Sequence, residues 1–307
     1  MRKLIIDCDP GIDDAFAIAS AYLDPEFEIL AIHTVAGNVD IENTTHNARA
    51  LAHVLGYKGS INRGAKAPLI YEPFSAAEVH GNNGFGGYQL TELAPLSEES
   101  AFDSARRILL ENDKITYVAL GPLTNLAILI KAHPELIHKI EVISLMGGGI
   151  KGGNTTLAGE FNFYADPHAA HIVFESGIPL IMAGLDVTEK AYITTEDINE
   201  IKTNGRQLGE LLYEISKVSF KFSKEILGHE RVHLHDVMSV LALSHPDLFV
   251  TKDFHMRIST DDNFMRGMSM ADRRPRSQEK PNVTVLTEID RDKFRQLLLT
   301  RFTIGGH

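Results

Sequence analysis

Lys3-Leu4-Ile5-Ile6-Asp7-Cys8-Asp9-Pro10-Gly11-Ile12-Asp13-Asp14-Ala15 changes its period halfway along. Lys3–Cys8 is an apolar, β-branched run that suits a strand, and Asp9-Pro10-Gly11 turns a chain rather than extending it. From Ile12 the pattern becomes helical through Ala15, Phe16, Ile18, Ala19 and Tyr22, until Asp24-Pro25 closes it. Strand, turn and helix form the opening unit. The alternation repeats downstream: Phe27–Val35 reads as a strand, Ile41–Leu55 as a helix, Ile115–Leu120 as a strand and Pro122–Ala132 as a helix. Ile140–Met146 and Pro179–Ala183 add two strands. This predicts the α/β class, with a single open, mostly parallel twisted sheet flanked by helices in a Rossmann-like manner. Its ligands belong outside the carboxyl ends of the strands.

After residue 190 an extra helical portion is expected in the C-terminal third, over Glu196–Ile226 and Asp236–Leu243. Strand-like Phe254–Ser259, Met265–Ala271 and Val283–Leu286 follow, and Asp290–Phe302 reads as a closing helix. Gly64–Gly87, Gly147–Ala165 and Leu227–Leu234 look irregular. The first holds Gly81-Asn82-Asn83-Gly84-Phe85-Gly86-Gly87, too glycine-rich to pack rigidly, which reads either as a mobile lid over a site or as a plain surface loop.

With 307 residues, 44% of them hydrophobic, the chain can bury a full core, and one domain over 1–307 is expected. The formal net charge of −11, without a long basic run, argues against nucleic acid, which needs clustered Lys and Arg to replace counterions. Arg273-Arg274-Pro275-Arg276 is explained by a solvated loop. No apolar stretch approaches the ~20 residues of a membrane helix. Met1-Arg2-Lys3 leads into a strand rather than a signal peptide, so no membrane partner and a cytoplasmic location are expected. The single cysteine, Cys8, excludes an internal disulfide and reads as a small buried hydrophobe.

Asp7, Asp9, Asp13 and Asp14 put four carboxylates at one strand end and helix start. Like charges this close push one another toward protonation, so either a cation neutralises them or several cap the helix. All-oxygen ligands would suit a hard cation such as calcium or magnesium and disfavour zinc. The spacing is not that of an EF-hand, so further ligands must come from distant segments. Leu120-Gly121-Pro122, at another strand end, and His235-Asp236, opening a helical run, are candidates.

The run Asp7–Ala15 resembles the signature of the inosine–uridine-preferring nucleoside hydrolase family. Thr34-Val35-Ala36-Gly37-Asn38, Gly121-Pro122-Leu123-Thr124-Asn125, Met146-Gly147-Gly148-Gly149, Glu160-Phe161-Asn162 with Ala165-Asp166-Pro167, and His235-Asp236 agree with it in order and spacing. The resemblance spans nearly the whole chain. It implies calcium held by Asp9, Asp14, the Leu120 carbonyl and Asp236, with water and the ribose 2′- and 3′-hydroxyls completing the shell. It also implies hydrolysis of the N-glycosidic bond of a small-molecule ribonucleoside by a calcium-bound water, with Asp9 as general base. Asp13, Asn38, Asn154, Glu160 and Asn162 match the family's ribose-binding positions, and Met146 would pack against the sugar. His235 is the natural proton donor to the leaving base, and His80 is a second candidate above it. His33, His46, His171 and His245 are assigned to packing or the surface.

Glu160 beside the 5′-hydroxyl would repel a 5′-phosphate, and loss of the 2′-hydroxyl would leave polar groups unpaired, so nucleotides and deoxynucleosides should react poorly. Lys217–His233 offers Phe220 and Phe222 but no tyrosine in its second half, which favours a pyrimidine or broad base preference. Similar proteins form homodimers or homotetramers. Two other readings stay open: a haloacid-dehalogenase-type phosphatase, from Asp7-x-Asp9 after a first strand, and a non-catalytic nucleoside-binding protein.

Overall fold

Leu4 and Ile6 pack into one apolar layer, with Phe16, Ile18, Leu51, Leu212, Val240 and Phe302. Ile5, between them, packs into another, with Tyr117, Leu126, Leu145, Phe163 and Val173. Successive side chains of a strand point to opposite faces, so this strand is covered on both sides, as in a parallel sheet. The computed structural model describes residues 1–304. Its strands are β1 (Arg2–Cys8), β2 (Phe27–Thr34), β3 (Ser60–Arg63), β4 (Ile115–Ala119), β5 (Ile140–Met146), β6 (Leu180–Ala183), β7 (Tyr192–Thr194), β8 (Arg231–His233), β9 (Phe249–Phe254), β10 (Met256–Ile258), β11 (Ser269–Ala271) and β12 (Val283–Ile289). Eight form one sheet in the order β3-β2-β1-β4-β5-β6-β12-β9, and β7-β8 and β10-β11 are separate antiparallel pairs. Every neighbour in the large sheet is parallel except the edge strand β9. The expected mostly parallel sheet flanked by helices is therefore present.

The helices are α1 (Ile12–Tyr22), α2 (Ile41–Leu55), α3 (Ala77–His80), α4 (Ala101–Glu111), α5 (Thr124–Ala132), α6 (Phe161–Ala165), α7 (Pro167–Phe174), α8 (Leu185–Thr188), α9 (Thr195–Asn204), α10 (Arg206–Phe222), α11 (Val237–Ser244) and α12 (Arg291–Ile304). The helix expected over Glu196–Ile226 is two, because Arg206 takes a left-handed φ of 52° after Gly205, and a π-turn over Ser223–Leu227 follows α10. Strand-like Phe254–Ser259 is β9 running into β10, so the edge strand begins earlier than the pattern suggested. The stretches read as irregular also contain α3, α6 and β8. Gly81–Gly87 is pinned rather than loose. Phe85 is fully buried, Asn83 Oδ1 accepts from Phe85 N and Gly87 N, and Asn47 Nδ2 donates to the carbonyl of Asn83.

From β1 the chain runs outward through β2 to β3 and then crosses over to β4 on the other side of β1. At such a reversal the two strand ends diverge and open a crevice. The ends of β1, Asp7-Cys8-Asp9, and of β4, Leu120-Gly121, border it. Across the molecule α12 is tied to α1: Arg301 donates to Asp24 Oδ2 at 2.7 Å and to Ser20 Oγ at 2.7 Å.

Candidate active site

Asp9 sits just beyond β1, where the chain leaves the sheet, and Asp13 and Asp14 occupy the first turn of α1. The positive end of a helix dipole favours acids there, and Asp14 Oδ2 accepts from Gly11 N at 3.0 Å while Oδ1 accepts from Asp9 N at 3.2 Å. Asn38, just after β2, joins the two acids: its backbone N donates to Asp9 Oδ2 at 2.7 Å and its Nδ2 to Asp14 Oδ2 at 3.1 Å. Asp9 Oδ1 is buried without a partner. Gly37 and Gly121 pinch that carboxylate; a Cβ built on either would lie against its oxygens. Asp236, one residue before α11, arrives from the far end of the chain, and ligand atoms of Asp13, Asp14 and Asp236 lie within 4.8 Å of one another.

Removal from water pushes Asp9, Asp14 and Asp236 above the usual carboxylate range, and their mutual repulsion pushes them further. Asp13 is raised by the same desolvation, partly offset by nearby backbone N–H groups. The hydrogen bond from Gly11 N is the main influence opposing that rise at Asp14. Beneath the turn, Asp7 accepts from Tyr117 Oη at 2.6 Å and Asn125 Nδ2 at 3.2 Å, and desolvation pushes it up to about 7. Asn125 also donates to Thr34 O and accepts from Ala65 N, so this fully buried trio ties the ends of β1, β2 and β4 together.

On the β4–β5 side, Asn162 Nδ2 donates to the Leu120 carbonyl at 2.7 Å and to Met146 O at 3.1 Å, and approaches Met146 Sδ at 3.4 Å. Glu160 caps α6: its carboxylate accepts from Asn162 N, Phe163 N and Gly148 N, while burial raises its pKa. The Asp13 charge acts on Glu160, so the two share one electrostatic environment. Asn154 stands apart. It is exposed on its loop, and its Oδ1 accepts from Phe161 N at 3.0 Å. A cavity of about 350 Å³ opens on the outer side of Gly37, bordered by Asp40, Lys66, Phe74, Ala77 and Asn82.

Two histidines close the crevice. His80 Nδ1 accepts from Ile12 N at 3.1 Å, which seats α3 directly on the acidic turn, and burial pushes its pKa down to about 4. His235 Nδ1 is hydrogen-bonded to Thr188 Oγ1 at 2.8 Å, and burial pushes it down to about 3, helped by His233 and His80. Both rings are therefore neutral at pH 7 in this arrangement. Thr188, Tyr117 and Asn125 had no assigned role in the sequence, and Asp7, counted there with the crowded acids, is bonded to Tyr117 and Asn125 instead. Asn125 stood inside a quoted motif, whereas nothing in the local sequence marks Thr188. Of the histidines assigned to packing or the surface, His33 Nε2 lies on Ser104 Oγ and His46 Nε2 on Leu90 O. Cys8 is buried, its Sγ on the His33 carbonyl. No helix among the described residues is long and apolar enough to cross a membrane.

Residues 4–296 match the family described as inosine-uridine preferring nucleoside hydrolase. The chain is 39% identical over 302 residues to the pyrimidine-specific ribonucleoside hydrolase RihA of Salmonella paratyphi B, covering 97% of each chain. Among solved structures it resembles a plant nucleoside hydrolase, PpNRh1, with a TM-score of 0.92 at 31% identity over 98% of this chain and 99% of that one. A purine-preferring ribonucleoside hydrolase from Gardnerella vaginalis has the same TM-score at 29% identity, over 99% of both chains.

Proposed function

This chain belongs to the inosine-uridine preferring nucleoside hydrolase family, and on that premise we propose that it cleaves the N-glycosidic bond of ribonucleosides in the crevice between β1 and β4. The observation that carries this reading is the convergence of Asp9, Asp13, Asp14 and Asp236, buried or half-buried, with one buried oxygen of Asp9 left without a partner. Nothing in the fold alone requires such crowding, which opposes ionisation of every member. The haloacid-dehalogenase alternative loses its support, since the whole-chain match is to a different family.

The donor set fits calcium: hard oxygens in excess, a surplus of negative charge and an orphaned carboxylate oxygen. Asp9, Asp14, Asp236 and the Leu120 carbonyl would hold it, since a carbonyl already bonded to Asn162 retains a second lone pair. When bound, the ion supplies the counter-charge that keeps these carboxylates ionised, and it acidifies a bound water. Asp9, fixed through Oδ2 by Asn38, takes the proton from the attacking water. Asp13 and Asn38 bind ribose hydroxyls, Asn162 and Met146 line the sugar on the β5 side, and the Glu160 charge contributes to an anionic wall beside the developing oxocarbenium ion. His235 gives a proton to the leaving base, with His80 beside it. Because burial favours the neutral resting ring, this role demands that the imidazole first take up a proton from solvent, which it then passes to the base nitrogen as the C–N bond breaks.

The RihA relatives and the absence of a tyrosine in the second half of Lys217–His233 support a pyrimidine or broad base preference. The same reading takes the chain as one hydrolase domain, a cytoplasmic homodimer or homotetramer serving nucleoside salvage. Ribose release from a nucleoside panel, with and without a calcium chelator, tests it. Uridine should be cleaved, chelation should abolish cleavage, and added calcium should restore it. Binding of nucleosides without release of ribose would leave a non-catalytic binding protein.

A further inference from the structure

The segments 191–194 and 231–234 run antiparallel, with Tyr192 opposite His233 and Leu234 N donating to Ala191 O at 2.9 Å. This pairing delivers His235 beside Thr188, the last residue of α8, whose side chain is fully buried and whose hydroxyl meets Nδ1 at 2.8 Å. The His233 ring lies over the same imidazole, with centroids 5.7 Å apart and planes tilted by 33°. His233 is itself wedged edge-on by Tyr192 at 6.0 Å and by His229 at 6.2 Å. Tyr192 in turn carries the Arg231 and Arg291 guanidinium groups against its ring at 4.5 and 3.9 Å.

An imidazole has two soft torsions. A hydrogen bond to one nitrogen fixes which nitrogen faces away, but leaves the ring free to tilt; a stacked neighbour removes the tilt. We propose that Thr188 and His233 are positioning residues for His235, the hydroxyl committing Nδ1 to the protein so that Nε2 is presented to the leaving base, and the stacked ring fixing the plane. The rigid ladder behind them, from Tyr192 to Arg291 at the start of α12, anchors the stack to the body of the protein.

This rests on the reading of His235 as the proton donor, and the two can be separated. Thr188→Val keeps the side-chain shape and removes the hydroxyl, Thr188→Ser restores it, His233→Ala removes the stack, and His233→Phe restores an aromatic face. Each is assayed beside His235→Ala on uridine, whose base must be protonated on departure, and on p-nitrophenyl riboside, whose leaving group needs no proton. Thr188→Val and His233→Ala should each lower kcat on uridine by about 10- to 100-fold, the range seen for groups that orient a functional histidine. KM should stay within about twofold, and p-nitrophenyl riboside turnover near wild type, since binding and water attack do not use the proton. Thr188→Ser and His233→Phe should recover most of the uridine rate. Equal losses on both substrates by Thr188→Val, or an undiminished uridine rate, overturn the inference. Equal losses on both by His235→Ala overturn the proton-donor reading itself. A leaving-group-dependent His235→Ala alongside leaving-group-independent Thr188→Val and His233→Ala overturns the positioning role alone.

Discussion

Gly121→Ala tests whether the position of the Asp9 carboxylate is what the crevice is built to hold. A methyl group on Gly121 would lie 2.7 Å from Asp9 Cγ, with Val35 Cγ1 at 3.1 Å. Carbon atoms rest at about 3.5–4.0 Å, so one partner must move by roughly 1 Å. Asp9 has the freedom to do so, because its Oδ1 on that side has no partner, whereas Val35 is buried. The backbone at Gly121 is not in the left-handed region, so alanine brings crowding without torsional strain. A misplacement of that size at a reacting group lowers the rate about 100-fold, equal to about 2.7 kcal/mol of transition-state stabilisation. Overpacking should lower stability by about 1–3 kcal/mol, too little to unfold the protein. The assay is kcat/KM on uridine and on p-nitrophenyl riboside, with thermal unfolding as the check on folding. Both substrates should lose activity together, because Asp9 acts on the water and not on the leaving group. A folded Gly121→Ala protein with wild-type kcat/KM would refute the role of the pinch, and with it the assignment of Asp9 as the base.

Three other outcomes are expected. Arg301→Met leaves Asp24 buried without its charge partner, which should destabilise the protein by about 3–5 kcal/mol and lower its melting temperature; an unchanged melting temperature would show that the pair is dispensable. Burial pushes His33 down to about 3, with the Arg107 charge adding to the effect, so the unfolded chain takes up this proton first. The stability contributed by the neutral ring is complete above the ordinary histidine pKa of about 6.5 and is lost as pH falls toward 3, amounting to about 3 kcal/mol by pH 4. His33→Gln should therefore flatten that part of the stability profile, and parallel acid limbs in the two proteins would contradict it. Deoxyuridine and uridine 5′-monophosphate should both be turned over far more slowly than uridine, since one leaves the crevice's polar groups unpaired and the other brings a phosphate toward the Glu160 charge; comparable ribose release from either would remove the corresponding contact.

The strand–helix alternation, the turn at Asp9-Pro10-Gly11 and the bounds of α1 and α2 were legible because period and punctuation are local properties of the chain. So was a signal left unread: Ser100 and Asp103 cap α4, whose buried Ala101, Ser104, Ala105, Ile108 and Leu109 keep helical spacing. The small strands β7 and β8 carry no such mark, since three residues are too few to show a period. By itself the sequence determined that acids crowd a strand end in an α/β chain and, through its motifs, the family to which the chain belongs. Only the tertiary structure decided that Asp236 meets Asp13 and Asp14, that His80 seats on Ile12, that Glu160 is bound up by backbone amides while Asn154 faces water, and that Thr188 holds His235. Those are contacts between residues far apart in sequence. They follow from which strands lie side by side and from which segment fills a given gap, and no local pattern of residue types records either.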